Sequence, residues 1–318
     1  MAGVEQALRE TARELLREGK VGTIIGYVRG STPFRSTPAF IENEEEADRL
    51  VFDVTCGSNL ARYVRNHGRD GRVAIVAKGC DGRAVVQYLS EGQLKRDDVL
   101  IVGVPCTGVL DHGKVSRLVR NRNVTGFREE NGKLVFEGDG FEVTADREDV
   151  LADSCLRCRY PNPPVHDVFL DEPAEAAPDG LHWQELEKFE QMAAQERWAF
   201  FEKEFARCIR CYACRNACPM CYCEECFVDQ SDPQWIGKGI DPSDTMLFHL
   251  VRALHTAGRC VECGACERAC PLGIRLDLLN SKLEREVHDR FGYTPGTDPD
   301  ETPAMATYDE EDKQEFML

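Results

Sequence analysis

Cys208-Ile-Arg-Cys211-Tyr-Ala-Cys214-Arg-Asn-Ala-Cys218-Pro219 is repeated, with the same spacing, in Cys260-Val-Glu-Cys263-Gly-Ala-Cys266-Glu-Arg-Ala-Cys270-Pro271. Both stretches read C-x2-C-x2-C-x3-C-P, a spacing that binds [4Fe–4S] clusters. In such runs the first three cysteines surround one cluster and the fourth, held by the following proline, completes the other. We therefore predict that cluster 1 is bound by Cys208, Cys211, Cys214 and Cys270, and cluster 2 by Cys260, Cys263, Cys266 and Cys218.

Two other interpretations of these cysteines compete with iron–sulfur clusters. Disulfides would require a secreted chain, and structural zinc normally needs only one C-x2-C pair from each half of a site. The N-terminal segment MAGVEQALRETARELL is amphipathic and charged, unlike a secretory signal. Sixteen cysteines in a chain of this kind indicate thiolate ligands in a reducing compartment, and we expect a cytoplasmic location.

The composition limits the classes of partner. The chain has 318 residues, enough for two domains, and a formal net charge of −17. That charge argues against nucleic acid or an anionic membrane surface as the main partner. No apolar run approaches the roughly 18 residues that a membrane span requires. We expect an electron carrier that docks to other proteins and that has neither a nucleic-acid partner nor a membrane span.

The N-terminal half is predicted to be an α/β domain. Val73–Ala77 reads as a strand, Gly82–Leu89 as a helix and Val99–Val104 as a second strand, which together form a βαβ unit with a parallel sheet. Asn131-Gly132 between two apolar segments predicts an appended β-hairpin, with a further strand at Phe141–Thr144. Earlier in the chain we expect a surface helix over residues 4–18 and strands over 21–28 and 39–42.

Four further cysteines occur where ligands bind in such sheets. Cys80 and Cys106 each follow a strand of the βαβ unit, and carboxyl ends of parallel strands are common ligand sites. Cys155 and Cys158 add a C-x2-C pair after the hairpin. Together these four predict a third [4Fe–4S] cluster. Zinc is an alternative occupant, and Cys80 and Cys106 are alternatively buried small residues without a ligand role.

The segments around these cysteines resemble the beta-subunit family of coenzyme F-420 hydrogenases and dehydrogenases. The similar segments are Lys78-Gly-Cys-Asp-Gly-Arg-Ala-Val-Val-Gln-Tyr-Leu89, Ile101-Val-Gly-Val-Pro-Cys-Thr-Gly108, and Ser154-Cys-Leu-Arg-Cys158 with Asp167 beyond it. The resemblance covers roughly residues 50–170. It implies that Cys80, Cys106, Cys155 and Cys158 bind an iron–sulfur cluster beside a flavin. It also implies that this flavin, FAD, exchanges electrons with a deazaflavin or another partner.

This sequence departs from the family pattern in three respects. The first segment has Gly79-Cys80 without the family's proline, the paired motifs follow this domain rather than precede it, and little of the family's C-terminal half follows Cys158. That half helps to build the flavin and deazaflavin sites, and the chain has no G-x-G-x-x-G fingerprint. FAD therefore stays open. Cys56 is predicted to be a buried helix-start residue rather than a ligand.

The paired motifs are predicted to lie in a helical module. Proline and acidic residues around 161–180 indicate a linker, so we divide the chain into residues 1–175, 176–293 and an acidic, extended tail over 294–318. Helical stripes are predicted from three sets of residues: Trp183, Leu186, Phe189 and Ala193; Trp198, Phe201 and Phe205; and Leu247, Leu250, Val251 and Leu254. We expect Ser243 or Asp244 to cap the third helix and Gly258 to end it.

A fourth helix is predicted from Leu276, Leu279, Leu283 and Val287, ending at Gly292. Helices before, between and after the motifs resemble the all-helical dicluster ferredoxins of heterodisulfide-reductase and succinate-dehydrogenase complexes. The βαβ arrangement of bacterial ferredoxins is the alternative. We expect Cys221, Cys223 and Cys226 to be packing residues or a redox-sensitive surface. We expect Phe316-Met-Leu318 to be exposed to solvent; the alternative is that it anchors the tail on a partner protein.

Three hypotheses for function follow. The first is an electron-transfer subunit without catalytic residues. Its clusters would be tuned by Arg207, Arg210, Arg215, Arg259 and Arg268. By resemblance, its partners would be subunits of an anaerobe's hydrogenase, formate dehydrogenase, heterodisulfide-reductase-like or methylenetetrahydrofolate-reductase complex, or soluble ferredoxin. The second is a flavin enzyme that exchanges hydride with a deazaflavin or nicotinamide. The third is a zinc-stabilised scaffold for complex assembly.

Overall fold

The N-terminal half of the protein is built on two β-sheets. The computed structural model describes residues 2–67 and 71–307. Its strands are β1 (Thr23–Arg29), β2 (Ser36–Ile41), β3 (Val73–Ala77), β4 (Val99–Gly103), β5 (Val124–Glu130), β6 (Lys133–Gly138), β7 (Phe141–Ala145) and β8 (Val168–Phe169). Five of them form a sheet in the order β2-β1-β3-β4-β8, which is parallel except for the β1–β2 pair. The remaining three form an antiparallel ribbon in the order β5-β6-β7.

Helices cover this sheet and make up the C-terminal half. They are α1 (Ala2–Arg17), α2 (Ala61–His67), α3 (Gly79–Ser90), α4 (His112–Leu118), α5 (Arg147–Val150), α6 (Asp153–Leu156), α7 (Gln184–Glu190), α8 (Ala194–Ala206), α9 (Ala213–Ala217), α10 (Pro242–Thr256), α11 (Ala265–Arg268) and α12 (Leu276–Phe291). Short 3-10 turns lie at Glu45–Arg49, Arg96–Asp98 and Ala304–Ala306. From α7 onward every element is helical. The predicted fold class, an α/β domain followed by a helical cluster-binding region, is confirmed.

The central strands β3 and β4 are buried along their whole length and pair in parallel from Val73–Val99 to Ala77–Gly103. Their sequences, VAIVA and VLIVG, are continuous apolar runs, as expected for strands covered on both faces. Helix α3 connects them, so the predicted βαβ unit is confirmed. Both strands end at the same edge of the sheet, which places the segments carrying Cys80 and Cys106 side by side.

The predicted hairpin is also confirmed. Asn131 and Gly132 both have positive φ, as a two-residue type I′ turn requires, and they join β5 to β6. Strand β7 adds to the ribbon through the Phe136–Val143 pair. The ribbon has a core of its own, which includes Phe136 and Leu134 together with Val115 of α4.

The helical stripes were predicted with mixed success. Helix α12 ends at Gly292, whose φ of 64° is the left-handed cap expected there. In α10, however, Leu247, Leu250 and Leu254 are exposed, so that stripe is wrong. The face of α10 that packs inward holds Phe248, His249, Arg252, Ala253 and Thr256. The predicted N-cap is wrong as well, because Asp241 accepts from the Ser243 N–H. The predicted C-terminal end is confirmed: Gly258, with a φ of 68°, directly follows the C-cap Ala257.

The aromatic stripe before the first motif is partly corrected. Phe205 is buried and stacks on Phe201, with ring centroids 5.5 Å apart. Trp198 is exposed over 55% of its surface and does not belong to this packed set. The predicted stripe of Trp183, Leu186, Phe189 and Ala193 extends past its helix, because α7 ends at Glu190, before Ala193.

The two halves of the chain share a core. Cys218, Met220 and Val261, from the segments of the paired motifs, are buried in the same hydrophobic cluster as the strands of the large sheet. Polar contacts reinforce the contact between the halves: Tyr88 Oη donates to the Pro219 carbonyl, and Arg259 forms a two-pronged ion pair with Glu91 at 2.6 and 2.7 Å. The N-terminal domain and the helical region are thus packed as one unit.

The described part of the acidic tail, residues 294–307, lies against this unit. The buried guanidinium of Arg83 donates to the Pro295 carbonyl at 2.7 Å and to the Val261 carbonyl at 3.1 Å. Gly296 packs on the Arg83 backbone so closely that a Cβ would lie 2.0 Å from its carbonyl oxygen. Ala304 is buried with Val287 and Tyr293. The start of the predicted extended tail is therefore docked, and the predicted anchor Phe316–Leu318 lies outside the described residues.

Within residues 2–67 and 71–307, every helix is too short or too polar to span a lipid bilayer.

Candidate functional site

The two cysteine motifs adopt the same local backbone. In each, the residue before the second cysteine and the residue after it have positive φ: Arg210 (50°) and Tyr212 (59°) in the first motif, Glu262 (53°) and Gly264 (65°) in the second. Three of these four are not glycine, and such conformations cost roughly 1–3 kcal/mol each. The strained turns lead into the short helices α9 and α11, which carry the third cysteines Cys214 and Cys266. The sequence repeat is thus a structural repeat.

Backbone N–H groups point at the first sulfur of each motif. The Arg210 N–H donates to Cys208 Sγ at 3.3 Å, and the Glu262 N–H donates to Cys260 Sγ at 3.4 Å. Hydrogen bonds to sulfur stabilise the thiolate form that binds iron and set the potential of a bound cluster. The matching bonds indicate that the two turns are built to hold thiolates.

The fourth cysteines lie near the opposite motif. Cys218 lines one cavity together with Cys260, Cys263 and Cys266, the three cysteines of the second motif. Burial raises the pKa of Cys208, the Arg210 N–H lowers it, and the neighbouring Cys270 and Cys211 raise it again. The structure therefore brings together both predicted sets of four. In the set predicted for cluster 1, Cys211 is exposed and Cys214 is buried; in the set predicted for cluster 2, Cys218 and Cys266 are buried.

The four N-terminal cysteines also meet around one cavity. Cys80, Cys106, Cys155 and Cys158 line a cavity of about 550 Å³ at the carboxyl edge of the large sheet. The Pro161 carbonyl accepts from the N–H groups of Gly79 and Cys106, at 3.3 and 3.2 Å, and so ties the three cysteine-bearing segments together. Gly79 is required here because a Cβ would lie 1.7 Å from the Tyr160 carbonyl oxygen.

The donor set of this cavity suits an iron–sulfur cluster. Burial is the main cause that raises the pKa of Cys80 and of Cys106, the latter to about 12, and the charge of Lys78 opposes it. A buried thiol of this kind becomes a thiolate only beside added positive charge, which iron supplies. No three His, Cys, Asp or Glu side chains among the described residues converge on a point suited to one metal ion. In a cubane each thiolate binds a different iron atom.

The cavity of the N-terminal cysteines adjoins the site of cluster 2. Cys263, Ser154, His182 and Glu262 line both cavities. Glu262 is largely buried, with 14% of its side chain exposed, and pairs with His182 Nε2 at 3.0 Å. Burial raises its pKa, but His182 lowers it further, so that the net shift is downward. A negative charge thus lies between the two predicted clusters.

Buried cations accompany the thiols. Lys78 Nζ donates to Asp81 at 2.7 Å and to the Ser58 carbonyl at 2.9 Å. Arg268 donates to the carbonyls of Cys263 and Gly57, both at 2.8 Å, and lines the 550 Å³ cavity. Arg252, on the inner face of α10, donates to the Cys214 carbonyl at 3.3 Å. Buried positive charge offsets the negative charge that thiolate-bound clusters bring into the interior.

The five arginines singled out from the sequence divide into two groups. Arg210 is buried and Arg268 partly buried beside the cysteines, as a tuning role requires. The other three form ion pairs: Arg207 with Glu204, Arg215 with Asp229, and Arg259 with Glu91. Arg215 also hydrogen-bonds Cys226, which lies outside the predicted sets. Sequence reasoning missed the polar side chains that helices α10 and α12 contribute: Arg252, His249, whose Nε2 lies 3.3 Å from Cys208 Sγ, and Asn280, whose Nδ2 lies 3.6 Å from Cys266 Sγ.

The remaining cysteines lie outside these sets. Cys221, Cys223 and Cys226 line a separate cavity of about 220 Å³, and a hydrogen bond from Cys221 lowers the pKa of Cys218 to about 6. Cys56 is fully buried in the N-terminal core, where burial raises its pKa to about 12, but it lies in a loop rather than at the start of a helix. Asp167 accepts from the Ile101 N–H at 2.7 Å and pairs with Arg96, which fixes β8 to the sheet.

Comparison with known proteins identifies a cluster-binding domain in the helical half of the chain. Residues 204–274 match the model of a 4Fe-4S dicluster domain. The beta subunit of the F420-dependent formate dehydrogenase of Methanocaldococcus jannaschii is 24% identical, over 89% of this chain and 89% of the relative. The beta subunit of F420-dependent formate dehydrogenase 1 of Methanococcus maripaludis is 21% identical, over 92% of this chain and 90% of the relative.

A chain of the F420-reducing [NiFe] hydrogenase complex from Methanosarcina barkeri is a more distant structural match. It is 16% identical with a TM-score of 0.40, and the match covers 48% of this chain and 58% of that one. The resemblance found in the sequence and the two [4Fe–4S] clusters of the paired motifs are confirmed by the sequence relatives and the domain match. The chain is thus a homologue of F420-dependent formate dehydrogenase beta subunits that carries a 4Fe-4S dicluster domain at residues 204–274.

Proposed function

We propose that this chain is the iron–sulfur electron-transfer subunit of an oxidoreductase complex and that it holds three [4Fe–4S] clusters. The observation that supports this most directly is the sharing of Cys263 between two cavities. One cavity is lined by the four predicted thiols of cluster 2, and the other by Cys80, Cys106, Cys155 and Cys158. Sites that share a wall suit the passage of electrons from one to the next. When bound, the clusters supply one-electron uptake and release.

The protein's own residues would hold the clusters in place and exclude water from them. Strands β3 and β4 fix the positions of Cys80 and Cys106, and the Pro161 carbonyl fixes the C-x2-C segment against both. The buried Lys78 and the partly buried Arg268 would place positive charge beside these thiols. No described side chain is assigned an acid–base role, because the proposed task moves electrons only.

The partners would be other subunits of such a complex. The two sequence relatives are named as beta subunits of F420-dependent formate dehydrogenases. A formate dehydrogenase catalytic subunit is therefore the first partner to test, with hydrogenase, heterodisulfide-reductase-like and methylenetetrahydrofolate-reductase subunits and soluble ferredoxin as the others. Cys211 is exposed, so the surface near this side chain is where cluster 1 would exchange electrons with such a partner.

Metal and flavin content per chain tests the proposal. Protein purified without oxygen should contain roughly twelve iron atoms and as much sulfide, since each cubane holds four of each. The variant Cys155→Ser should lose about four iron atoms, while Cys223→Ser, an exposed cysteine outside the predicted sets, should keep all of them. A Cys155→Ser variant with full iron would overturn the assignment of the third cluster. Zinc in place of iron would favour the scaffold hypothesis.

A flavin enzyme is the second candidate, favoured by the F420-dependence in the relatives' names. A deazaflavin carries hydride, which delivers two electrons at once, whereas a cubane accepts one. A bound FAD would connect the two kinds of transfer. Heat-denatured protein should then release about one flavin per chain into the supernatant, which absorbance and chromatography would detect. Flavin-free protein with full iron and normal electron transfer to a partner would reject this candidate.

A further inference from the structure

We propose that His249 donates a hydrogen bond to the Cys208 sulfur and so raises the reduction potential of cluster 1. His249 lies on the inner face of α10 and is 2% exposed. Its Nε2 is 3.3 Å from Cys208 Sγ, within hydrogen-bond distance for sulfur. The proposal rests on the function proposed above, because it requires a cluster at Cys208.

The packing around the ring holds it in this orientation. Phe205 stacks on the imidazole with centroids 4.3 Å apart and an interplanar angle of 13°. Phe248 covers the ring from another side at 4.9 Å and 58°. Because these aromatic neighbours leave the ring little freedom, the contact with Cys208 is a built feature of the helical region.

The direction of the hydrogen bond follows from the partners of the two ring nitrogens. Nδ1 is buried and has no hydrogen-bond partner in the described part of the chain. In the neutral tautomer with its proton on Nδ1, that proton would have no acceptor. The lone pair of Nε2 would then face a sulfur that is negatively charged when it binds iron, and the two would repel each other. A proton on Nε2 is present both in the other neutral tautomer and in the charged ring. The nitrogen that faces Cys208 is thus a donor in either protonation state.

The effect on potential follows from the charge that reduction adds. One electron enters the cluster, no covalent bond is made or broken, and part of the added charge spreads onto the four cysteine sulfurs. An N–H aimed at one of these sulfurs stabilises the reduced form more than the oxidised form, and hydrogen bonds to sulfur are known determinants of cluster potential. The second motif has the same backbone donor, but among the described residues no histidine is hydrogen-bonded to its sulfurs; its side-chain donors are Arg252 and the amide of Asn280, 3.6 Å from Cys266 Sγ. His249 therefore distinguishes the potentials of the two clusters.

Redox titration followed by electron paramagnetic resonance tests this role. His249→Phe keeps an aromatic ring for Phe205 but removes the N–H. It should lower the midpoint of one cluster by about 59 mV, which corresponds to a tenfold change in the equilibrium constant of a one-electron couple. His249→Gln, which keeps an amide N–H, should recover much of this difference. His255→Phe, an exposed histidine on the same helix, is the matched control and should leave every midpoint unchanged.

The outcomes separate this inference from the proposed function. Unchanged midpoints in His249→Phe with full iron content would overturn the inference alone, as would equal shifts in His249→Phe and His249→Gln. Wild-type protein without reducible cubanes would instead overturn the proposed function. If His249→Phe fails to fold, wild-type protein carrying ¹⁵N-labelled histidine replaces it. Spin-echo spectra should then show a histidine nitrogen weakly coupled to one reduced cluster, and spectra without that coupling would refute the hydrogen bond.

Discussion

Replacing Gly79 by alanine should dislodge the C-x2-C segment from the carboxyl edge of the sheet. The added Cβ would lie 1.7 Å from the Tyr160 carbonyl oxygen and 2.8 Å from the Pro161 carbonyl carbon, and real Cβ atoms essentially never come within 3.0 Å of such a neighbour. The Tyr160–Pro161 backbone must therefore move by about 1.3 Å, and it cannot rotate away as a flexible side chain would.

The size of the effect follows from two opposing contributions. Gly79 is the first residue of α3 and does not have positive φ, so alanine is compatible with its backbone and would by itself favour the helix by up to about 1 kcal/mol. Overpacking of this kind costs roughly 1–3 kcal/mol or more. The shift also breaks the hydrogen bond from the Gly79 N–H to the Pro161 carbonyl. We expect a net loss of stability and, because Cys155 and Cys158 move with the segment, the loss of about four iron atoms.

Iron quantitation and thermal unfolding of anaerobic protein measure both effects. Gly22→Ala is the matched control, because no atom lies within 4 Å of the Cβ it would add and its φ is not positive. The control should keep its iron and its Tm, whereas Gly79→Ala should lose iron and several degrees of Tm. Equal iron content and equal Tm in the two variants would refute the reasoning that this close approach holds the third site together.

Two further perturbations probe the buried charges and the contact between the halves. Lys78→Met should destabilise the protein by about 3–5 kcal/mol, because it leaves the Asp81 carboxylate buried without its 2.7 Å partner. Adding Asp81→Asn should recover part of this loss in urea unfolding, and a double variant no more stable than the single one would contradict the role of charge. Glu91→Gln should weaken the contact of α3 with Arg259 and speed limited proteolysis of the protein, whereas Glu44→Gln, at an exposed carboxylate, should not. Burial raises the pKa of Glu91, but Arg259 and Tyr222 lower it further, so the net shift is downward. The contribution of Glu91 should therefore be complete above about pH 4.3, the usual glutamate pKa, and lost as the pH falls below it. Identical proteolysis of Glu91→Gln and wild type at neutral pH would contradict this.

The predictions that held rest on local patterns with one dominant cause. Strand β3 was predicted with its observed bounds, because a five-residue apolar run followed closely by glycines is typical of a buried strand in an α/β chain. The hairpin at Asn131-Gly132 follows from the positive φ that its turn requires. The cysteine sets were assigned from spacing; the thiols predicted for cluster 2 line one cavity and the four N-terminal thiols line another, while the assignment of ligands to clusters stays a prediction.

The failed prediction at α10 has a physical cause. Hydrophobic periodicity locates the face of a helix that packs on an apolar core, but the inner face of α10 packs beside cysteines, where polar and charged groups are useful. His249 and Arg252 therefore point inward, and Leu247, Leu250 and Leu254 remain outside. The same cause hid Asn280 on α12. The sequence does not show which groups a helix packs against, so hydrophobic periodicity alone predicts that the leucine stripe is the inner face.

The hydrophobic core shared by Cys218, Met220 and Val261 with the large sheet limits how this protein can be divided. A fragment cut at the proline-rich linker would carry an intact set of cysteine motifs, yet it would expose apolar side chains that the other fragment normally covers. It would also leave the Val261 and Pro295 carbonyls without the Arg83 guanidinium. The pieces that the sequence presents as separable modules therefore depend on each other to cover their apolar surfaces, and a transplanted piece would need a host that supplies the matching surface.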